Sequence, residues 1–116
     1  MERLEILETA KTYMNKTVKV YVDRPIGYKH KGILYTLNYG YIKEFKALDG
    51  EYQDAYILGV DKPINTFEGK VIAIIHRFDD VEDKLVVCAL NENYSDEEIV
   101  QLVHFQEQYF KHEIIR

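Results

Sequence analysis

The spacing of apolar residues predicts a short amphipathic helix over residues 4–14, where such residues recur every three or four positions. This stripe consists of Leu4, Leu7, Ala10 and Met14. A second helix is predicted to begin at Ser95, because Ser95 and Glu98 have the spacing of a capping box. One face of this helix carries Ile99, Leu102, Val103, Gln106, Tyr109 and Phe110.

Between the two helices the pattern predicts strands. Residues 17–22 alternate and are rich in β-branched side chains, and residues 55–60 form a second apolar run. The strongest strand predictions are 70–76 and 84–90, which the segment "RFDDVED" joins into a hairpin with an acidic tip. About five strands with a terminal helix packed on them indicate an α+β fold that is mainly β, with a small, closed or nearly closed barrel.

Composition narrows the class of protein. A chain of 116 residues is long enough to form one domain, residues 1–116, without metal or disulfide staples. The net charge of −5 argues against electrostatic binding of nucleic acid. The lone Cys88 fits a reducing compartment, and no apolar run approaches the length of a membrane span. We therefore expect a cytoplasmic protein with neither membrane nor nucleic-acid partners.

Two acidic clusters, residues 49–54 and 79–83, are the strongest candidates for chemistry. Each one alone is typical of a solvated hairpin tip. In a small barrel both tips can face one site, where carboxylates repel one another unless a cation lies between them. On a regular strand Asp49 and Glu51 share a face that Asp54 does not, so convergence requires an irregular chain near Tyr52. Oxygen ligands of this type select Mg²⁺ or Mn²⁺ over zinc.

Four segments together resemble the soluble family I inorganic pyrophosphatases: "NYGYI", "LDGEYQDAYIL", "GKVIAIIHRFDDVEDKLVV" and "HFQEQYF". The order and spacing match over roughly residues 17 to 112. The resemblance implies a small five-stranded, OB-like closed barrel with an N-terminal and a C-terminal helix packed outside it. It also implies a homo-oligomer and Mg²⁺-dependent hydrolysis of pyrophosphate to two phosphates, with Mn²⁺ as the alternative ion. A related small phosphate compound is the alternative substrate.

Site residues carry over from the resemblance by position. The implied metal ligands are Asp49, Asp54 and Asp79, together with Glu82 or Asp83. The implied catalytic residues are Glu51, which orients or deprotonates the attacking water, Asp54 and Tyr39. The implied substrate-binding residues are Lys84, Lys29 or Lys31, Tyr109 and Lys111. Lys111 is adjacent to Phe110, which stands where the family has a Lys.

Departures from the family pattern leave alternatives open. Glu51 stands where Asp is usual, Tyr52 replaces a Pro, and Phe110 replaces a Lys. The segment between "RPIGYKHK" and "NYGYI" is expected to lack the hairpin that brings a phosphate-binding arginine, so only Arg24 and Arg77 can compensate. Losing two charge-assisted contacts, each worth roughly 1.5–3 kcal/mol, would weaken binding by about 10²–10⁴-fold.

Two further hypotheses follow from the same residues. The departures favour a non-catalytic or substrate-altered protein that binds metal and a phosphate-containing ligand. The ten tyrosines favour a stacking surface for single-stranded nucleic acid, for which Tyr39 and Tyr41 are the test pair, although the acidic charge balance opposes it.

Overall fold

The computed structural model describes residues 3–47, 50–78 and 82–116. Its elements, in chain order, are α1 (Arg3–Thr12), β1 (Thr17–Arg24), β2 (Lys29–His30), β3 (Ile33–Leu34), β4 (Asn38–Lys46), β5 (Tyr52–Ile57), β6 (Thr66–Arg77), β7 (Asp83–Cys88), α2 (Asp96–Glu107) and β8 (His112–Ile115). No helix in the described ranges is long and apolar enough to cross a membrane.

Five strands close into a barrel in the order β1-β4-β5-β7-β6, because β6 also pairs with β1. All of these pairings are antiparallel except that of β5 with β7, which is parallel. The first half of β6 pairs with β1, and its last residues pair with β8 on the same side. The closed five-stranded barrel with two helices, predicted from the sequence, is confirmed.

Alternation along the barrel strands produces one core inside the barrel. All five strands contribute to it, and α1 packs against it through Leu7 and Ala10. The inward-facing side chains are Val18, Val20, Ile42, Ala55, Ile57, Val71, Ile74, Leu85 and Val87. Helix α1 ends at Thr12, and Met14 beyond it forms an isolated bridge with Val71 instead of extending the helix.

A second core lies between the outer face of the barrel and α2. It combines Ile99 and Val103 of α2 with Tyr56, Leu58, Ile72, Ala73, Ile75, Val86 and Cys88. Strand β7 is therefore buried on both faces, which explains its continuous apolar run. A bulge in β6 at Ile72 directs both Ile72 and Ala73 outward and restores the inward position at Ile74.

Helix α2 begins as predicted, since Glu98 N donates to Ser95 Oγ at 3.1 Å and Ser95 N donates to Glu98 Oε1 at 2.9 Å. Its predicted apolar face needs correction. Leu102 is partly exposed, and Glu107 is fully buried. Tyr109 and Phe110 follow the helix, because α2 ends at Glu107.

The expected absence of a hairpin before "NYGYI" is wrong. Strands β2 and β3 pair through a two-residue turn, in which Lys31 and Gly32 have φ of 51° and 81°. Positive φ at both positions defines the type I′ turn, and glycine is favoured at the second of them. The hairpin carries His30 and Lys31 at its tip and no arginine.

Candidate active site

Two adjoining clefts lie on the outer face of the barrel beside the end of α2. The first, which we call the cationic cleft, has a volume of about 310 Å³ and is lined by Arg24, His30, Lys31, Ile33, Tyr39, Asp54, Arg77, Glu82, Lys84, Gln106 and Phe110. The second, the acidic cleft, has a volume of about 450 Å³ and is lined by Asp23, Arg24, Tyr41, Glu51, Tyr52, Asp54 and Glu82. Arg24, Asp54 and Glu82 line both, so the clefts are continuous.

Lys84 links the carboxylates at the boundary of the two clefts. Its Nζ lies 2.7 Å from Asp54 Oδ2 and 2.6 Å from Glu82 Oε2. Strands β5 and β7 pair in parallel with Ala55 opposite Leu85, so the preceding residues, Asp54 and Lys84, lie side by side outside the barrel. The Lys84 side chain is 3% exposed, whereas those of Asp54 and Glu82 are about one-third exposed. The ion pairs leave the carboxylates accessible and the ammonium enclosed.

The buried Tyr39 lies next to Lys84, whose ammonium is 5.6 Å from the centroid of the Tyr39 ring. Burial raises the pKa of Tyr39 well above its usual value, and the charge of Asp54 and a hydrogen bond to it raise the pKa further. The hydroxyl therefore stays protonated at neutral pH and donates to the Asp54 carboxylate.

A chain of hydrogen bonds holds Arg24 in the cationic cleft. Its Nη1 donates to the Tyr35 hydroxyl at 2.7 Å, and that hydroxyl donates to Gln106 Oε1. Gln106 Nε2 donates to the Tyr56 hydroxyl, which donates to Glu107 Oε2, both at 2.6 Å. Through this chain, the Arg24 guanidinium on β1 is connected to Glu107 at the buried C-terminal end of α2.

Arg77 stands at the other end of this chain. Its Nε and Nη2 donate to the two carboxylate oxygens of Glu107 at 2.9 and 2.6 Å, and its guanidinium carbon lies 3.7 Å from the Phe110 ring centroid. Its Nη1 is 3.7 Å from Glu82 Oε2. Burial would lower the pKa of Arg77, but the hydrogen bonds and charge of Glu107 outweigh burial and raise it.

In the acidic cleft, Glu51 and Asp54 face the same space. Glu51 precedes β5, so the alternation of side chains along a strand does not fix the direction of its side chain. Tyr52 and Asp54 lie two residues apart in β5 and share the outer face. The expected irregularity occurs on the partner strand, since Tyr41 opposes Asp54 while Lys46 opposes Tyr52. Burial and the Asp54 charge raise the pKa of Asp23 at the far wall.

Several solved inorganic pyrophosphatases share this architecture. The protein from Ehrlichia chaffeensis gives a TM-score of 0.66 at 13% identity, over 86% of this chain and 85% of that one. Those from Coxiella burnetii and Neisseria gonorrhoeae give TM-scores of 0.64 and 0.60 at 14% and 18% identity, over 87% and 82% of this chain and 84% and 74% of theirs. The chain has the inorganic pyrophosphatase fold. Neither a protein-family model nor a curated protein sequence matches it.

Within this pyrophosphatase fold, six of the predicted site residues meet at the two clefts. They are Lys31, Tyr39, Glu51, Asp54, Glu82 and Lys84. Asp49 and Asp79 lie outside the described residues. Of the two alternatives at the start of β7, Glu82 lines the clefts, whereas Asp83 is buried and pairs with His76 Nδ1 at 2.8 Å.

Three predicted substrate-binding residues do not line either cleft. Lys29 is exposed on β2, and Tyr109 is 63% exposed beyond α2. Lys111 accepts a hydrogen bond from Phe78 N through its backbone oxygen. For Tyr109 and Lys111 the reason is that α2 ends at Glu107 and the chain then turns into β8. In the hairpin, Lys31 at the tip lines the cationic cleft and Lys29 does not.

Sequence reasoning missed the supporting network of Tyr35, Tyr56, Gln106 and Glu107. The one available signal was Gln106, a polar residue within an otherwise apolar helical stripe. Its role depends on partners 50 and 71 residues away in the chain, Tyr56 and Tyr35.

The carboxylates of the clefts are the candidate ligands for a divalent ion. Among residues 3–47, 50–78 and 82–116, no three Asp, Glu, His or Cys side chains form a group that could hold a metal. The acids that are present offer hard carboxylate oxygens, and Asp54 and Glu82 already converge on one positive charge, that of Lys84. Hard oxygens of this kind suit a divalent cation, but Lys84 holds the position between these two carboxylates as their counter-ion.

Proposed function

We propose that this chain hydrolyses a phosphoanhydride, with pyrophosphate as the first substrate and two phosphates as the products. The observation that carries the proposal is the continuity of the clefts. Lys31 and Lys84 line the cationic cleft and Glu51 lines the acidic cleft. Arg24, Asp54 and Glu82 line both. The pyrophosphatase fold supports the same chemistry.

Arg24 and Lys84 are the principal phosphate ligands in this proposal. Both are held by neighbours, Arg24 by the Tyr35 hydroxyl and Lys84 by Asp54 and Glu82. Preorganised cations aimed at a transferring phosphoryl group stabilise the charge that develops there. Lys31, on the exposed hairpin tip, adds a third positive charge at the rim.

Asp54 and Glu82 would hold Mg²⁺, joined by Asp49 and Asp79 from the sequence motif. When bound, the ion would supply a more acidic water and neutralise phosphate charge. Tyr39 orients the Asp54 carboxylate through its hydrogen bond. Glu51 faces the same cleft and accepts the proton of the attacking water.

Phosphate release from pyrophosphate, measured with and without Mg²⁺, tests the proposal with Asp54→Asn. Asp61→Asn, in an exposed loop outside both clefts, is the matched control. We expect metal-dependent turnover in the native protein and the control, and at least a 10²-fold loss in Asp54→Asn. Absence of turnover from folded protein with Mg²⁺, Mn²⁺ and Co²⁺ would contradict the proposal, as would full activity of Asp54→Asn.

A second function, binding of a phosphate ligand without hydrolysis, is favoured by the contacts of Lys84. An ammonium already neutralises the two carboxylates that a catalytic ion would use. Calorimetry with Mg²⁺ and methylenediphosphonate separates the two functions. Tight binding without pyrophosphate turnover would favour the binding function, and absence of binding would eliminate it.

A further inference from the structure

Three tyrosine rings form a ladder across neighbouring strands on the outer face of the barrel. Tyr21 of β1 lies opposite Tyr41 of β4, with ring centroids 5.7 Å apart and planes at 24°. Tyr41 stacks in turn on Tyr52 of β5, at 5.7 Å and 9°. Cross-strand aromatic pairs stabilise a sheet, but that role does not require the rings to line a cleft.

The ladder ends inside the acidic cleft. Tyr41 and Tyr52 both line that cleft, and Tyr52 is 39% exposed. The ammonium of Lys46, an exposed residue, lies 5.7 Å from the centroid of the Tyr52 ring. This ammonium covers part of the Tyr52 ring, so a base that stacks on the ring from the cleft takes its place. A bare diphosphate has no apolar part and would leave this aromatic surface unused.

We propose that the acidic cleft binds the nucleobase of a nucleoside diphosphate or triphosphate whose phosphates occupy the cationic cleft. This inference rests on the phosphate site of the proposed function and names its substrate class. Arg24, Asp54 and Glu82 line both clefts, so a single ligand can extend from one into the other. Stacking of a base on an aromatic side chain contributes about 1–3 kcal/mol.

The charges of the clefts fix the direction in which such a ligand binds. Asp23 and Glu51 repel phosphate from the acidic cleft, while the Asp23 oxygens accept hydrogen bonds from the amino group of a base. Lys31 and Lys84 attract phosphate to the other end. A long polyanion would have to pass the acidic wall, so a mononucleotide fits better than a nucleic-acid strand.

Calorimetry with two non-hydrolysable probes, methylenediphosphonate and α,β-methylene-ADP, tests the inference in the presence of Mg²⁺. We expect the native protein to bind the nucleotide analogue more tightly by about 5–150-fold, the equivalent of 1–3 kcal/mol. Tyr52→Leu should remove this advantage without changing the affinity for methylenediphosphonate. Tyr52→Phe, which retains the ring, should keep it, and so should Tyr28→Leu, an exposed tyrosine outside both clefts.

The outcomes separate this inference from the proposed hydrolysis. Equal affinity of the native protein for both probes overturns the base site and leaves pyrophosphate hydrolysis intact. An equal loss of both affinities in Tyr52→Leu also overturns it, because the ring would then serve only the fold or the phosphate site. Binding of neither probe overturns it as well. A Tyr52-dependent preference for the nucleotide analogue supports it, even where phosphate release from pyrophosphate is absent.

Discussion

At the scale of single residues, Lys84 occupies the place where a divalent ion would be expected to bind. Its ammonium lies within 2.7 Å of one oxygen from each of two carboxylates, Asp54 and Glu82. Opposite charges at this distance stabilise one another, and a second cation would have to replace the first. We infer that Lys84 and Mg²⁺ compete for these oxygens.

Replacing Lys84 with Gln should therefore increase the stabilisation that Mg²⁺ confers. An ion that binds only the folded state raises its stability by mass action. We expect Mg²⁺ to raise the melting temperature of Lys84→Gln by about 2–8 °C more than that of the native protein, for about 1 kcal/mol of additional binding. Thermal scans with and without Mg²⁺ measure the difference. Lys29→Gln is the control, and the double variant Lys84→Gln/Asp54→Asn should lose the extra shift.

Asp23 illustrates a residue whose charge opposes folding. Burial and the neighbouring Asp54 raise its pKa in the folded state. The folded protein therefore retains its proton more tightly than the unfolded chain, and stability falls as pH rises through this range. The cost is absent below pH 3.8, the usual value for Asp, and complete above the raised pKa.

Asp23→Asn should accordingly stabilise the protein at pH 7 and leave its stability unchanged at pH 3. Although the cleft wall partly desolvates Asp23, the residue still contacts solvent. Screening therefore limits the gain to a few tenths of a kcal/mol. Urea unfolding at both pH values measures it, with Asp61→Asn as the control. Equal effects at the two pH values would show that charge is not the cause.

At the scale of elements, the end of α2 is fastened to the barrel by a buried ion pair. Glu107 is completely buried near the negative end of the helix dipole, a position that disfavours a carboxylate. Arg77 of β6 offsets this through two hydrogen bonds, and the Tyr56 hydroxyl donates a third. The packing of α2 therefore depends on these three residues together.

Glu107→Gln should lower the free energy of unfolding by about 3–5 kcal/mol, because it removes the nearest counter-charge of the buried Arg77. Glu97→Gln, on the exposed first turn of α2, is the control and should cost only a few tenths. Denaturant titration followed by circular dichroism measures both. A loss below 1 kcal/mol for Glu107→Gln would contradict the assigned role of the pair.

Elements with a strong local signal were predicted from the sequence. Ser95 and Glu98 mark the start of α2, and apolar runs mark β6 and β7. The sequence did not predict β2, β3 or β8, because each has only two to four residues and forms through its pairing partner. In β4, Gly40 interrupts the pattern. A side chain there would overlap the Tyr21 backbone oxygen, so glycine serves the close approach of β1.

At the scale of the whole molecule, closure of the barrel assembles a site that no local pattern contains. Motif spacing selected Tyr39, Asp54 and Lys84, which the structure brings together at the cationic cleft. It gave no indication that Arg77 meets Glu107, which lies 30 residues away on another layer. The acidic residues of a motif can be predicted from the sequence. The buried partners that position its cations come from distant parts of the chain, so they can be identified only from the fold.

The two cores share the strands that separate them, since β5, β6 and β7 contribute side chains to both. Loss of one core would expose the other, so we expect a single cooperative unfolding transition. Near-ultraviolet circular dichroism reports on the buried tyrosines and far-ultraviolet circular dichroism on the strands. Their urea midpoints should coincide, and two separate midpoints would show that α2 and its core unfold independently.

The ion pairs of Lys84 with Asp54 and Glu82 couple the binding of a phosphate to the binding of a divalent ion. When a phosphate binds Lys84 in place of Asp54 and Glu82, these two carboxylates lose the counter-charge that the ammonium supplied. When a divalent ion binds the two carboxylates, the Lys84 ammonium loses its own counter-charges and binds an anion more readily. Each ligand therefore prepares the site for the other, and this coupling is reciprocal. The anion and its metal ion should enter together, as one neutralised complex.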